Sequence, residues 1–203
     1  MIEPRRRLAP EQRRALIVEA AGRLFGEHGY DGTRLDDVAR AAGVTKPVLY
    51  RHFADKTALY LALLERHRAD LGSFAGAIPP DGPLEARLRA VLEVWLDYVR
   101  SHDYAWRMLF RDTGGGETVR AFRVEVHAEA RAVLAGLIRH LAPAPLPERE
   151  LEPLAELLSM GMASLVLWWI ETPGLEREAV LDAIARVWTG VLTPRAGAAG
   201  AAA

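Results

Sequence analysis

Residues 29–59, GYDGTRLDDVARAAGVTKPVLYRHFADKTAL, decide the fold. Leu35, Val38, Ala39 and Ala42 recur at the spacing of one helix face. Thr33 is placed to open that helix, with Asp36 at capping-box spacing, and Gly43 stops it after barely two turns. Val44 is apolar and Thr45 is placed to cap the next helix. That helix is short, from Lys46 to about Phe53, with Leu49 and Phe53 four apart on its inner side. Two short helices joined by a glycine-containing turn form a helix-turn-helix. The second carries Lys46, Pro47, Val48, Tyr50, Arg51 and His52 on its remaining positions. No acid sits at its start, so its first amides can meet phosphate.

Upstream, Pro10-Glu11 suits a first helical turn. Ile17, Ala20, Ala21, Leu24 and Phe25 then form one apolar stripe ending at Gly29. Downstream, Asp55 reads as the cap of a fourth helix with Leu59, Leu63 and Leu64 on its buried side, ending near Gly72. Leu24-Phe25, Gly29-Tyr30, Thr33, Val38-Ala39, Ala42-Gly43-Val44, Leu49-Tyr50, His52-Phe53, Lys56 and Leu59 together resemble the N-terminal pattern of TetR-family regulators. Leu35 stands where a β-branched residue is common. The resemblance covers about a quarter of the chain. It implies that Thr33 and Arg34 approach phosphate, that Thr45, Tyr50, His52 and Lys56 also hold phosphates, and that Lys46, Pro47, Val48 and Arg51 face base edges. Lys or Arg can donate to guanine O6 and N7, and Pro47 or Val48 can touch a thymine methyl. Outside that pattern, Lys46, Arg51 and Lys56 would read as a solvated face and Tyr50 as a half-buried packing residue.

The rest of the chain keeps a helical period, giving an all-α expectation. A break at residues 72–83 (Gly72, Pro79, Pro80, Gly82, Pro83) precedes helical stretches at Leu84–Ser101, Tyr104–Arg111, Thr118–Leu141, Arg149–Glu171 and Glu176–Leu192. The expected organisation is a DNA-binding unit at 1–54, a connecting helix at 55–72, a ligand-binding and dimerisation domain at 73–192, and a disordered Pro, Arg, Ala and Gly tail at 193–203. Residues 1–60 hold 11 basic and 8 acidic side chains, against a whole-chain net charge of −1. Arg5, Arg6, Arg7, Arg13 and Arg14 form a basic arm that is either solvated or in contact with phosphate.

One short recognition helix touches few bases, so a dimer reading two half-sites of an inverted repeat is expected. The apolar C-terminal helices supply its surface: Leu158, Gly161, Leu165, Trp168, Ile184, Val187 and Trp188. By resemblance, the middle helices enclose an inducer pocket. Trp95, Trp106, Phe110 and Phe122 are the expected lining, with His127 or Arg107 to orient a polar ligand group. The ligand itself stays unidentified. The expected function is a ligand-responsive transcriptional repressor on double-stranded operator DNA. The alternative is a helical small-molecule-binding protein of the same fold without DNA binding.

Nothing in the sequence favours an enzyme. There is no cysteine, which also excludes disulfides and suits a reducing cytoplasm. None of the four serines (73, 101, 159 and 164) lies in a Gly-x-Ser-x-Gly setting. There is no His-Glu-x-x-His, and Glu125, His127 and Glu129 do not share a helix face. Gly114–Gly116 lacks the Lys-Ser/Thr of a phosphate loop. No cofactor or metal is expected. The uncharged run Leu157–Ile170 is too short to span a bilayer, so a buried helix and no membrane partner are expected.

Overall fold

A computed structural model describes residues 9–74, 79, 81–143 and 145–193. The first arginines of the basic arm and the expected disordered tail from residue 194 onward lie outside the described residues. Among those described there is no strand. The order is α1 (Pro10–Gly32), α2 (Leu35–Ala41), α3 (Lys46–His52), α4 (Lys56–Ser73), α5 (Leu84–Ser101), α6 (Asp103–Trp106), a π-helical turn (Arg107–Arg111), α7 (Gly116–Leu141), α8 (Glu148–Glu171) and α9 (Arg177–Leu192).

Local chemistry sets the junctions. Gly29 adopts φ 70° and ψ 178°, which kinks α1, and the helix resumes for Tyr30–Gly32. Gly43, at φ 66°, supplies the left-handed residue of the α2–α3 turn. Asp55 caps α4, accepting the Ala58 N–H at 2.7 Å. Two expected caps are not made. The Thr33–Asp36 capping box does not form, because α2 starts two residues later with Arg34 at its cap position. Thr45 precedes α3 without a side-chain cap bond.

Two cores hold the chain. The first gathers Ile17, Phe25, Val38, Leu49, Phe53, Leu59, Tyr60 and Leu63 from α1 to α4. It continues into Met108 and Leu109 of the π turn and Val119 and Val126 of α7. The second lies among α5, α8, α9 and the C-terminal end of α7, around Leu92, Leu96, Leu158, Val166, Leu181, Ile184 and Trp188. The head therefore packs on the start of the body rather than hanging from α4 alone. Tyr104 of α6 lies so close to Gly22 and Gly26 of α1 that an added Cβ would sit 2.7 and 2.5 Å from it.

Among the described helices, α8 alone is long and apolar enough to cross a bilayer. Its Ala155, Leu158, Ala163, Val166 and Trp169 are buried against the body.

Candidate nucleic-acid interface and ligand cavity

The short α3 is aimed by its apolar side. Leu49 is fully buried, and Phe53 just beyond the helix is nearly so. That places Lys46, Pro47, Tyr50 and Arg51 in solvent, with Arg34 and Thr45 exposed beside them. Val48 and His52 are half-buried, and His52 Nε2 is shielded without a hydrogen-bond partner. The first turn of α3 holds no acid of its own, but Lys46 reaches back to Asp36 of α2 at 2.5 Å. Arg14 of α1 lies over the Phe53 ring at 5.1 Å, adding a cation beside this surface.

Two expected phosphate ligands are held inward instead. Thr33 is only 3% exposed. Its hydroxyl donates to the Gly29 carbonyl at 2.8 Å, with the Leu24 carbonyl at 3.1 Å, so it locks the α1 kink. Lys56 donates to the Tyr30 and Thr33 carbonyls at 2.9 and 3.2 Å, and lies over the Tyr30 ring at 4.4 Å. A kinked helix end leaves carbonyls short of intrahelical partners, and these two side chains donate to them.

The sequence did not reveal the seam behind this surface. The Asp112 carboxylate, just past the π turn, accepts the Tyr30 N–H at 2.7 Å and the Tyr60 hydroxyl at 2.9 Å. Arg123 of α7 pairs with Asp112 at 3.5 Å and donates to the Tyr60 hydroxyl at 2.7 Å and the Met108 carbonyl at 3.0 Å. Burial pushes the Tyr60 hydroxyl well above the ordinary tyrosine range, against the pull of Arg123. Nearby, His67 is buried between the Tyr98 and Tyr104 hydroxyls at 2.6 and 3.1 Å.

The body holds a cavity of about 180 Å³ lined by Leu92, Trp95, Trp106, Phe110, Met162 and Trp188 among others. Trp95, Trp106 and Phe110 are part of this lining. Trp95 meets Trp106 edge-on at 5.4 Å, and Trp106 stacks on Phe110 at 5.1 Å. Phe122 and His127 do not line it. Phe122 sits one helical turn earlier on α7, packed with the head core under Arg68. His127 stacks behind Phe110 at 4.8 Å, with its Nε2 buried and unpartnered. Arg107 pairs with Asp103 at 3.0 Å.

The expected dimer surface divides. Leu158, Ile184 and Trp188 are buried within the protomer's own core, and Trp188 lines the cavity. Leu165 is half-buried. Gly161, Trp168 and Val187 face outward, joined by Leu157 and by Met160. Both helices are apolar on more than one side, so periodicity alone could not tell the inner stripe from the outer one.

A helix-turn-helix head packed on a helical body with its own apolar cavity defines a class of two-part DNA-binding regulators. The chain belongs to the TetR family: residues 17–63 match the bacterial regulatory proteins of the tetR family, and residues 84–190 match the tetracyclin repressor-like C-terminal domain. The HTH-type transcriptional activator FasR of Mycolicibacterium smegmatis is 37% identical over 125 residues, 61% of this chain and 57% of FasR. The HTH-type transcriptional repressor AcnR of Corynebacterium glutamicum is 29% identical over 161 residues, 66% of this chain and 84% of AcnR. The chain thus spans little more than half the length of FasR. A tetR-family transcriptional regulator from Streptomyces coelicolor superposes with a TM-score of 0.73 at 26% identity, covering 91% of this chain and 82% of that one.

Proposed function

We propose that the protein is a homodimeric transcriptional repressor, released from an inverted-repeat operator when a small molecule enters the cavity. The observation that carries the DNA-binding part is the α3 surface. Lys46, Pro47, Tyr50 and Arg51 project together from a helix fixed by Leu49 and Phe53. Arg51 and Lys46 suit guanine edges, while Tyr50, Thr45 and Arg34 suit phosphates. Val48 and His52 have partial access. In a dimer the two α3 helices would sit about 34–36 Å apart, one turn of DNA. A DNA-bound role places the protein in the cytoplasm.

Relatives of both signs exist, an activator and a repressor. Repression is the simpler outcome of a dimer that a ligand pulls out of register. A protein of the same fold in Bacillus subtilis, FadR, forms a complex with stearoyl-CoA.

The test is a footprint of the purified protein on DNA flanking its own gene, at physiological salt. A protected inverted repeat that disappears with Arg51→Ala supports the proposal. A folded dimer carrying Arg51→Ala and Tyr50→Ala that binds DNA as well as the parent protein would favour the alternative without DNA function.

A further inference from the structure

We propose that the cavity takes an amphipathic cation, with an apolar body against the tryptophans and an ammonium head at the mouth marked by Arg68 and Glu129, where Glu65 and Glu125 stand just outside the lining. This rests on the ligand-responsive reading above and names the ligand's class. Among the described residues, the only charged ones lining the cavity are Arg68 of α4 and Glu129 of α7, and Ser159 is the one hydroxyl there. Arg68 grips Glu129 with two donors, Nε at 2.7 Å and Nη2 closer still. Its Nη1 lies 3.4 Å from Glu65 and 3.9 Å from Glu125. One guanidinium therefore faces three carboxylates, and this cluster beside the cavity carries two negative charges in excess among the described residues.

An anionic head would have to displace Glu129 from a two-donor pair and then lie beside Glu65 and Glu125. An ammonium meets the opposite situation, because it neutralises charge the mouth already carries. The walls suit the tail. Trp95, Trp106, Phe110 and Trp188 line the cavity, and their apolar surface takes a hydrocarbon chain out of water. The glutamates are half or more exposed, so solvent screens each pair and the preference is moderate.

The same contact offers a route to the head. Arg68 stands on the helix that leaves the helix-turn-helix, while Glu125 and Glu129 stand on α7 of the body. A ligand ammonium that occupies the α7 carboxylates unfastens α4 from α7. Ligand entry and release of the DNA head are then one event.

The test uses the full chain and three probes with the same tail: dodecyltrimethylammonium, dodecanoate and dodecanol, each below its micelle concentration. Quenching of Trp95, Trp106 and Trp188 reports binding, and far-UV circular dichroism confirms that the fold survives. The expected result is that the ammonium binds tightest, by roughly 5- to 30-fold over dodecanol, with dodecanoate weakest. The advantage shrinks with added salt and narrows to near parity in Glu125→Gln/Glu129→Gln. Dodecanoate binding as tightly as the ammonium, or an advantage indifferent to the double substitution, overturns the proposal while leaving the cavity intact. Binding of none of the three overturns the cavity reading itself.

Discussion

Asp112 Oδ2 accepts the backbone N–H of Tyr30 at 2.7 Å, so a side chain of the body fixes the hinge from which the helix-turn-helix departs. The same carboxylate faces Arg123 at 3.5 Å, both largely buried. Removing one partner of a buried pair strands the other's charge at a cost of about 3–5 kcal/mol, whereas replacing both with apolar groups can be neutral. Asp112→Ala is therefore expected to lower the thermal midpoint by many degrees and to weaken operator binding even well below that midpoint. Asp112→Leu/Arg123→Met should recover most of the stability without recovering operator affinity. Thermal denaturation and DNA anisotropy on the same samples separate the two effects. Full recovery of both in the double variant would reduce Asp112 to a stability element.

The ion pair of Lys46 with Asp36, at 2.5 Å, restrains the recognition helix's one lysine. Asp36→Asn releases it. Binding to non-operator DNA is expected to strengthen, and the salt slope to steepen by about one unit, because one more cation is free to neutralise phosphate. Discrimination between operator and random DNA should narrow. An unchanged slope would show that Lys46 reaches phosphate with Asp36 in place.

Thr33 was expected at the DNA and is found inside the head. Thr33→Val keeps its shape but leaves the Gly29 carbonyl without its 2.8 Å partner. The expected loss is about 1–2 kcal/mol of stability, read by urea denaturation, with operator affinity unchanged. A large fall in affinity with little change in stability would restore Thr33 to the interface.

Much of the architecture was legible because helical period and punctuation are local. Leu84–Ser101 was read with its final bounds, and Asp55 was read as a cap before its bond to Ala58 was seen. What failed was rotational phase and long-range polar pairing. The break at Gly29 could be read, but nothing near Thr33 or Lys56 in sequence says that it leaves carbonyls needing donors. Asp112 is 82 residues from Tyr30, and no period links them. On α7, Phe122 and His127 share the aromatic character of true cavity residues, and only the turn of the helix separates them from the lining.

His67 is nearly fully buried, and burial together with neighbouring His102 and Arg66 holds its pKa down to about 4 from 6.5, against the opposing pull of Asp70. Tyr98, His102 and Tyr104 face it from α5 and α6. The unfolded chain thus takes up a proton here between pH 6.5 and 4 while the folded chain does not. The stabilisation is complete above pH 6.5 and declines as pH falls through that window. The partly buried His127, also lowered chiefly by burial, adds in the same direction. His67→Gln is expected to flatten the decline in thermal midpoint between pH 7 and 4.5, even if it lowers stability at neutral pH. A parallel pH profile would place the acid sensitivity elsewhere.

Leu157, Met160, Gly161, Ser164 and Trp168 follow one outer stripe of α8, and Val187 of α9 also faces outward. Leu157, Trp168 and Val187 are 70, 55 and 56% exposed, an apolar patch of the kind that marks an interface. Gly161 tests its use directly. A Cβ placed there meets nothing within 4 Å in the protomer, and replacing a helical glycine gains up to about 1 kcal/mol of helix propensity. Gly161→Leu should therefore keep or raise protomer stability while holding two partner helices apart. Sedimentation velocity at low micromolar concentration is expected to show a shift from dimer towards monomer, and more completely so with Trp168→Asp. Operator affinity should fall with it, because a single head reads only one half-site. If both variants sediment as unaltered dimers, the two-fold contact lies on another face, and the exposed stripe needs a different partner.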